Sequence, residues 1–374
     1  MDARVLVIPV AGKQMVERSQ PDDTGPAAAL QAALSEAIPA FSAEMASRPF
    51  AALGVDSFGM LSLRARVEQV LGPVDDAVWT TLVTPGELLE LGRSGLKPEA
   101  EATSATHSRR YRINMPQMAV GGLSESWLFK EIGDLHWTMI MDGLGVQSSD
   151  LFDGTGARLY ATFTRLRLVS TNPISSFAEN EEVALKGEIA RHGAGLFFSE
   201  MGIAGHAKTI RASIMSSFSK RAEVTSNTGL LKGQPTIPPG CPIRVLENMP
   251  AFGLGYQARR STPPPGVIFE CPYEILPIHD INGAGLLYFA AYPAISDICE
   301  LRFIGQGARW AARASTVQRD VFYFANCDMG DQLIYRAHAR RDLGTGIEIE
   351  SSISRASDGK LMAYLVTRKE LVGA

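Results

Sequence analysis

The stretch LGVDSFGML, residues 53–61, sets a hydroxyl, Ser57, directly after a carboxylate, Asp56, at the start of an amphipathic run. Ser or Asp at such a place can cap a helix by accepting its free N-terminal N–H groups. The same place suits a phosphate esterified to the serine, because those amides and the positive end of the helix dipole favour an anion. Two other stretches put glycine ahead of a long helical pattern: Gly121 and Gly122 in AVGGLSESW, and Asn282 with Gly283 in HDINGAGLL. Amides at a helix N-terminus can hold an oxygen that gains negative charge during a reaction. Glycine also lets a helix pass close to a sheet, and Asn282 can act as a cap, so both uses stand. His136, within the first of these helical patterns, and His279, just ahead of the second, are either bases or structural residues. The sequence has no Ser, His and Asp arrangement, no phosphate-binding glycine loop and no nucleotide fingerprint, so ATP and NAD chemistry are not expected.

The elements that must position these residues fall into two groups. Leu30, Leu34, Ile38 and Phe41 recur at helical spacing, as do Met60, Leu63, Val67 and Val70, the second run being closed by Gly72 and Pro73. A third helical piece starts with Thr84 as cap and Pro85 at the first helical position. Residues 25–92 therefore read as a small helical bundle behind an N-terminal segment, 1–24, that opens with a short strand. Residues 93–109 are small, polar and without periodicity, as in a flexible linker. Beyond them the segments 158–169, 182–190 and 208–221 are β-branched and aromatic enough for strands, and Asp358–Gly359 marks a hairpin turn. One long glycine-led helix precedes each strand group, which predicts two similar halves, 110–235 and 236–374. A long helix wrapped by an antiparallel sheet, twice in one chain, is a double hot dog. The expected class is α+β.

At 374 residues and 45% hydrophobic composition, the chain is long enough for more than one core. The formal charge of -4, with Lys and Arg scattered singly, predicts neither a nucleic acid nor a membrane partner. Four widely spaced cysteines, with no CxxC pair, predict reduced thiols in a cytoplasmic protein without a metal site.

The run LGVDSFGMLSLRARVEQVLG followed by TPGELLEL resembles the acyl carrier proteins over residues 25–92. The resemblance implies that Ser57 receives a 4'-phosphopantetheine arm from a phosphopantetheinyl transferase. Two positions depart from the family pattern: Phe58 stands where Leu is usual, and Ser62 where an acidic residue is common, with Arg64 and Arg66 nearby. Those departures concern which partners recognise the second helix.

The segments NMPQMAVGGLSESWLFKEIGDLHW and INGAGLLYFAAYPAISD, with the strand RLYATFTRLRL, resemble the leinamycin-type bifunctional acyltransferase/decarboxylases of polyketide biosynthesis over residues 110–374. This implies that a methylmalonyl-type thioester of coenzyme A loses carbon dioxide and that propionyl passes to a carrier serving a polyketide synthase or another carrier-dependent enzyme of secondary metabolism. A tyrosine has the covalent role in that family, and Tyr160 matches it best. A phenol is a weak nucleophile at neutral pH unless a nearby donor or cation favours phenolate. Arg158, Arg165 and Arg167 are close in sequence, and none can be assigned from it. Decarboxylation through an enolate needs donors for its oxygen, for which Gly121, Gly122, Asn282 and Gly283 are the candidates. Leu287, Phe289 and Tyr292 offer apolar walls. The alternatives are a hot-dog dehydratase or thioesterase acting on a carrier-bound acyl chain, and a non-catalytic docking module.

Overall fold

The computed structural model describes residues 26–71, 79, 84–93, 106–222 and 226–372. The expected N-terminal strand, the Gly72–Pro73 stop and residues 94–105 of the linker lie outside these. Helices α1 (Pro26–Ala37), α2 (Ser57–Leu71) and α3 (Pro85–Arg93) form the N-terminal unit. Its core is the set expected from the intervals of three and four: Leu30, Leu34 and Ile38 pack on Leu63, Val67 and Leu88. Thr84 and Glu87 close a capping box at α3, each side chain bonding the other's backbone N–H.

The rest of the described residues build a twelve-stranded sheet, antiparallel but for one short parallel pairing, and a separate two-stranded ladder of β2 (Met118–Ala119) and β3 (Gly122–Leu123). The first half contributes β1 (Thr106–Arg112), β4 (Tyr160–Ser170), β5 (Glu182–His192), β6 (Leu196–Ala204) and β7 (Thr209–Arg221). The second contributes β10 (Phe269–Glu274), β11 (Ala314–Tyr323), β12 (Gln332–Asp342), β13 (Gly346–Arg355) and β14 (Leu361–Leu371). Their spatial order, β1-β5-β6-β7-β4-β11-β14-β13-β12-β10, reads the same from either end if each first-half strand is exchanged for its second-half counterpart. The internal repeat thus extends to topology, and the halves meet edge to edge where β4 pairs with β11. The short strands β8 (Leu230–Gly233) and β9 (Arg244–Val245) join at β7 and β5. Residues 106–109, assigned to the linker by composition, begin β1 instead. This strand shows no apolar alternation because it lies at the sheet's edge, where its polar side chains reach α4 (Glu125–Leu144): Arg109 binds Asp134 at 2.6 Å and Tyr111 binds Glu131 at 2.5 Å.

Helix α4 is capped by Ser124 and ended by Gly145 in the left-handed conformation; it buries Leu128, Ile132, Leu135 and Met139 as its spacing predicts. The second long helix is shorter than expected. Residues Pro277–Asp280 make one turn, α6, an irregular segment follows, and α7 runs only from Ala291 to Ile304. Pro293 then falls in the first turn, where its missing N–H costs nothing. Asn282 and Gly283 therefore stand well ahead of a helix, and their amides are not at its N-terminus. Helices α4 and α7 meet on one side of the sheet, where Gly133 of α4 gives way to Phe289: a Cβ on Gly133 would come 2.2 Å from that ring.

A buried set of charges clamps these helices to the sheet. Arg319 of β11, fully buried, binds Glu125 of α4 at 2.7 Å and Asp297 of α7 at 2.8 Å. Lys369 of β14 binds Asp297 at 2.7 Å and the fully buried Glu300 at 2.6 Å. Burial raises the affinity of Asp297 for its proton, but the two cations outweigh it and hold the carboxyl below its ordinary range.

The other side of the sheet carries α2 and α5 (Ala251–Ser261). Phe58 and Leu61 of α2 join Leu196, Phe198, Met215, Tyr256, Phe322 and Tyr364 in one buried cluster. The close fit is set by the turn between β5 and β6: a Cβ on Gly193 would lie 2.8 Å from the Ala65 backbone, and one on Gly195 would lie 2.5 Å from Leu61. No described helix is long and apolar enough to cross a membrane. The four cysteines are free and buried.

Candidate active site

Tyr160 opens β4, and its partner in the ladder is Ser219 of β7. In an antiparallel pair, directly opposed residues share a face and diagonal neighbours come within reach of long side chains. Arg158, two residues earlier, and Arg221, two residues past Ser219, are thereby brought to the same ring. Both guanidinium carbons lie 5.3 Å from the centre of the Tyr160 ring. The three side chains line a cleft of about 390 Å³ together with Trp137, Ser148 and Gly283. The charged groups in this lining are the two arginines. Such a cleft attracts a carboxylate.

The segment after α6 is held to this cleft by Arg221. Its guanidinium donates to the Ala284 carbonyl and, at 3.1 Å, to Asn227, whose amide in turn donates to the Gly285 carbonyl at 2.6 Å. Gly283 thus belongs to the wall beside Tyr160. The Asn282 side-chain oxygen is taken up locally, accepting the N–H groups of Ala284 and Leu286 at 3.0 Å each, an Asx-type turn. Gly121, at φ +89°, and Gly122 do not line this cleft. A Cβ on Gly122 would lie 2.0 Å from the Ser175 carbonyl oxygen, so the residue serves a close backbone approach. Of the apolar walls expected near the site, Phe289 stacks on Phe163 with ring centres 4.1 Å apart, and Tyr292 is buried with its hydroxyl donating to the Ala325 carbonyl. Arg165 is paired with Asp320 at 2.7 Å, which leaves Arg158 as the sequence-neighbour cation that reaches Tyr160. Sequence reasoning missed Arg221 and Trp137. Only the β4–β7 register reveals Arg221, and Trp137 lies off the apolar stripe by which α4 was read.

His136 is fully buried between two hydroxyls, Ser199 at 2.6 Å and Ser216 at 2.7 Å, and burial pushes its pKa down from 6.5 to about 3. A ring held neutral in this way is part of the core. The unfolded chain binds the proton that the folded chain refuses, so His136 stabilises less as pH falls from 6.5 towards 3. Lowering pH from 6.5 to about 4.5 is expected to remove roughly 2 kcal/mol through this residue, a loss absent from His136→Gln. Urea unfolding of both chains across that range checks it; parallel pH curves would show that His136 does not carry the effect. His279 lies at the surface against Asp280, Nδ1 2.8 Å from the carboxylate.

At the start of α2, Asp56 is the cap: its Oδ1 accepts the N–H groups of Phe58 at 3.1 Å and Gly59 at 2.8 Å. The capping role weighed for Ser57 is therefore filled by its neighbour. Arg260 of α5 lies 3.4 Å from the Asp56 carboxylate. Burial, and the charge of Arg260, push the half-buried Lys232 ammonium down to about 8 against the attraction of Asp56. Arg260 and Lys232 set two positive charges near Asp56, the residue before Ser57, so they would be the residues to hold a phosphodiester attached there.

No protein-family model matches the chain, and no curated protein matches it in sequence. Solved structures do. A protein assigned as an oleoyl thioesterase from Lactobacillus plantarum aligns with a TM-score of 0.52 at 13% identity, over 72% of this chain and 98% of its own. The 12:0-ACP thioesterase from Umbellularia californica aligns at 0.50 and 10% identity, over 71% and 97%. A MaoC-like dehydratase from Phytophthora capsici aligns at 0.39 and 13% identity, over 72% and 96%. With the mirrored strand order and the two central helices, the likeness to the first two makes the large domain a hot-dog fold, mixed α and β.

Proposed function

We propose that the chain converts a carboxylated acyl thioester, of the methylmalonyl-coenzyme A type, to a decarboxylated acyl group and passes it to a thiol. The observation that carries this reading is Tyr160 between Arg158 and Arg221 in a cleft whose charged lining residues are those two arginines. The Tyr160 oxygen attacks the thioester carbonyl, the C–S bond breaks, and the phenol proton leaves with the coenzyme A thiol. Arg158 and Arg221 attract the substrate carboxylate and oppose the charge left as carbon dioxide departs. The enolate so formed takes a proton from water, and the Gly283 segment, fixed by Arg221, closes the cleft beside it. A thiol then displaces the acyl group, and Tyr160 regains its proton. A 4'-phosphopantetheine arm on Ser57 would supply that thiol and hold the product as a thioester. The helical unit is, on this reading, an acyl carrier domain, and the chain prepares a short acyl unit, propionyl, for polyketide-type synthesis in the cytoplasm.

The likeness to the two thioesterases favours a second reading, hydrolysis of a carrier-bound acyl thioester. Intact-protein mass after co-expression with a broad phosphopantetheinyl transferase and incubation with methylmalonyl-coenzyme A separates the two, with Ser57→Ala as control. The expected product is a Ser57-dependent arm bearing propionyl. Release of free acid with the arm left bare would favour hydrolysis, and a chain that never gains an arm would refute the carrier assignment.

A further inference from the structure

The two positions where α2 departs from the carrier pattern both face the large domain. Phe58 is buried with its ring centre 5.0 Å from that of Tyr256, and Ser62 accepts a hydrogen bond from Gln257 at 3.2 Å. Farther along α2, Gln69 donates to the Leu246 carbonyl. Of the two arginines of the helix, Arg64 binds Glu68 at 2.7 Å and lies over Trp79, and Arg66 pairs with Glu36 of α1. The residues that would be odd in a carrier serving many enzymes are thus the ones that fit this sheet.

From the start of α2 a row of polar side chains leads to the cleft. Lys232, Ser219 and Tyr160 are opposed in register on β8, β7 and β4, and so share a face. Beside them, Ser217 opposes Thr162. Lys232 donates to Ser217 at 2.8 Å and Thr162 to Ser219 at 2.8 Å, so the two buried serines hold the half-buried Lys232 and Thr162 in place. Lys232 and Tyr160 are two strand spacings apart, about 10 Å. The phosphopantetheine arm, equivalent in backbone to between four and five residues of extended chain, spans roughly 16 Å.

We propose that the docked position of α2 is a loading pose: the helical domain is a carrier dedicated to its own chain, and the arm on Ser57 lies over Lys232 and Thr162 with its thiol at Tyr160. This rests on the carrier reading of Ser57, but not on the reaction assigned to Tyr160. The test uses the full-length protein carrying the arm, confirmed by intact mass, with Tyr160→Cys. Diamide takes up the two hydrogens as the arm thiol and the introduced thiol form a disulfide, and mass spectrometry of a non-reducing digest identifies the link. It should form within one chain at a rate unchanged by dilution. Adding Phe58→Glu should slow it by roughly tenfold or more, and Phe58→Ala by less, because each removes the buried anchor of the interface. Phe58 lies outside the core of the helical bundle, so these variants leave its packing intact. An arm that never links to the introduced thiol, or links as fast with Phe58→Glu, or links between chains in proportion to concentration, overturns the loading pose alone. A chain whose mass shows no arm overturns the carrier reading and the pose with it.

Discussion

Tyr160→Phe is expected to lower acyl transfer to the carrier by about 10³-fold or more, because it removes one oxygen and with it the proposed nucleophile. The ring stays, and so do its contacts with Arg158 and Arg221, so folding and thioester binding are expected to survive. Rapid-quench measurement of carrier acylation, beside equilibrium binding of a non-hydrolysable thioester, reads the two effects apart. Arg158→Met and Arg221→Met keep stems of similar size without the charge. Each is expected to cost on the order of 10–100-fold with a carboxylated substrate and less with propionyl-coenzyme A, for which the carboxylate is missing. Transfer that persists in Tyr160→Phe would mean direct attack by the acceptor thiol, with the arginines left as the catalytic groups.

Arg319→Leu is expected to be the most destabilising of the substitutions considered. It would leave Glu125, Asp297 and Glu300 facing Lys369 alone in a buried setting, and removing one partner from a buried ion pair costs roughly 3–5 kcal/mol. Thermal unfolding should shift down by about 10 °C, with a matching fall in the denaturant midpoint. Because Glu125 and Asp297 sit on different helices, the loss should also loosen α4 and α7, seen as faster amide exchange in both. A chain that melts within a degree or so of the parent would show that the clamp is solvated and weak.

The helical unit was legible in the sequence because α1 and α2 are periodic and two of the three helices are capped by local chemistry: Thr84 with Glu87, and Asp56 ahead of α2. The mirrored halves were legible from two long helices and their strand groups. The start of α7 was misread because LLYFAAY, residues 286–292, is apolar in any conformation; Pro293 was the one local mark that the helix must begin near it. The strand β1 was hidden by its edge position, which leaves Arg109 and Tyr111 no need of apolar neighbours. Of the residues that line the cleft, Tyr160 and Gly283 were the two that sequence reasoning had singled out. Its second cation, Arg221, depends on a pairing between residues some sixty positions apart, which periodicity does not carry.

The mirrored topology also bears on stoichiometry. Aligned at the bulges of β4 and β11, the counterpart of Tyr160 is Arg313, just ahead of β11, whose carbonyl accepts the N–H of Val372 just past β14. Neither side chain offers a nucleophile. On the proposed reading the two halves divide their labour, the first presenting Tyr160 and the second Arg319, Lys369 and the loop of Gly283. Each chain should titrate as a single acyl equivalent on Tyr160, never two, however symmetrical its scaffold.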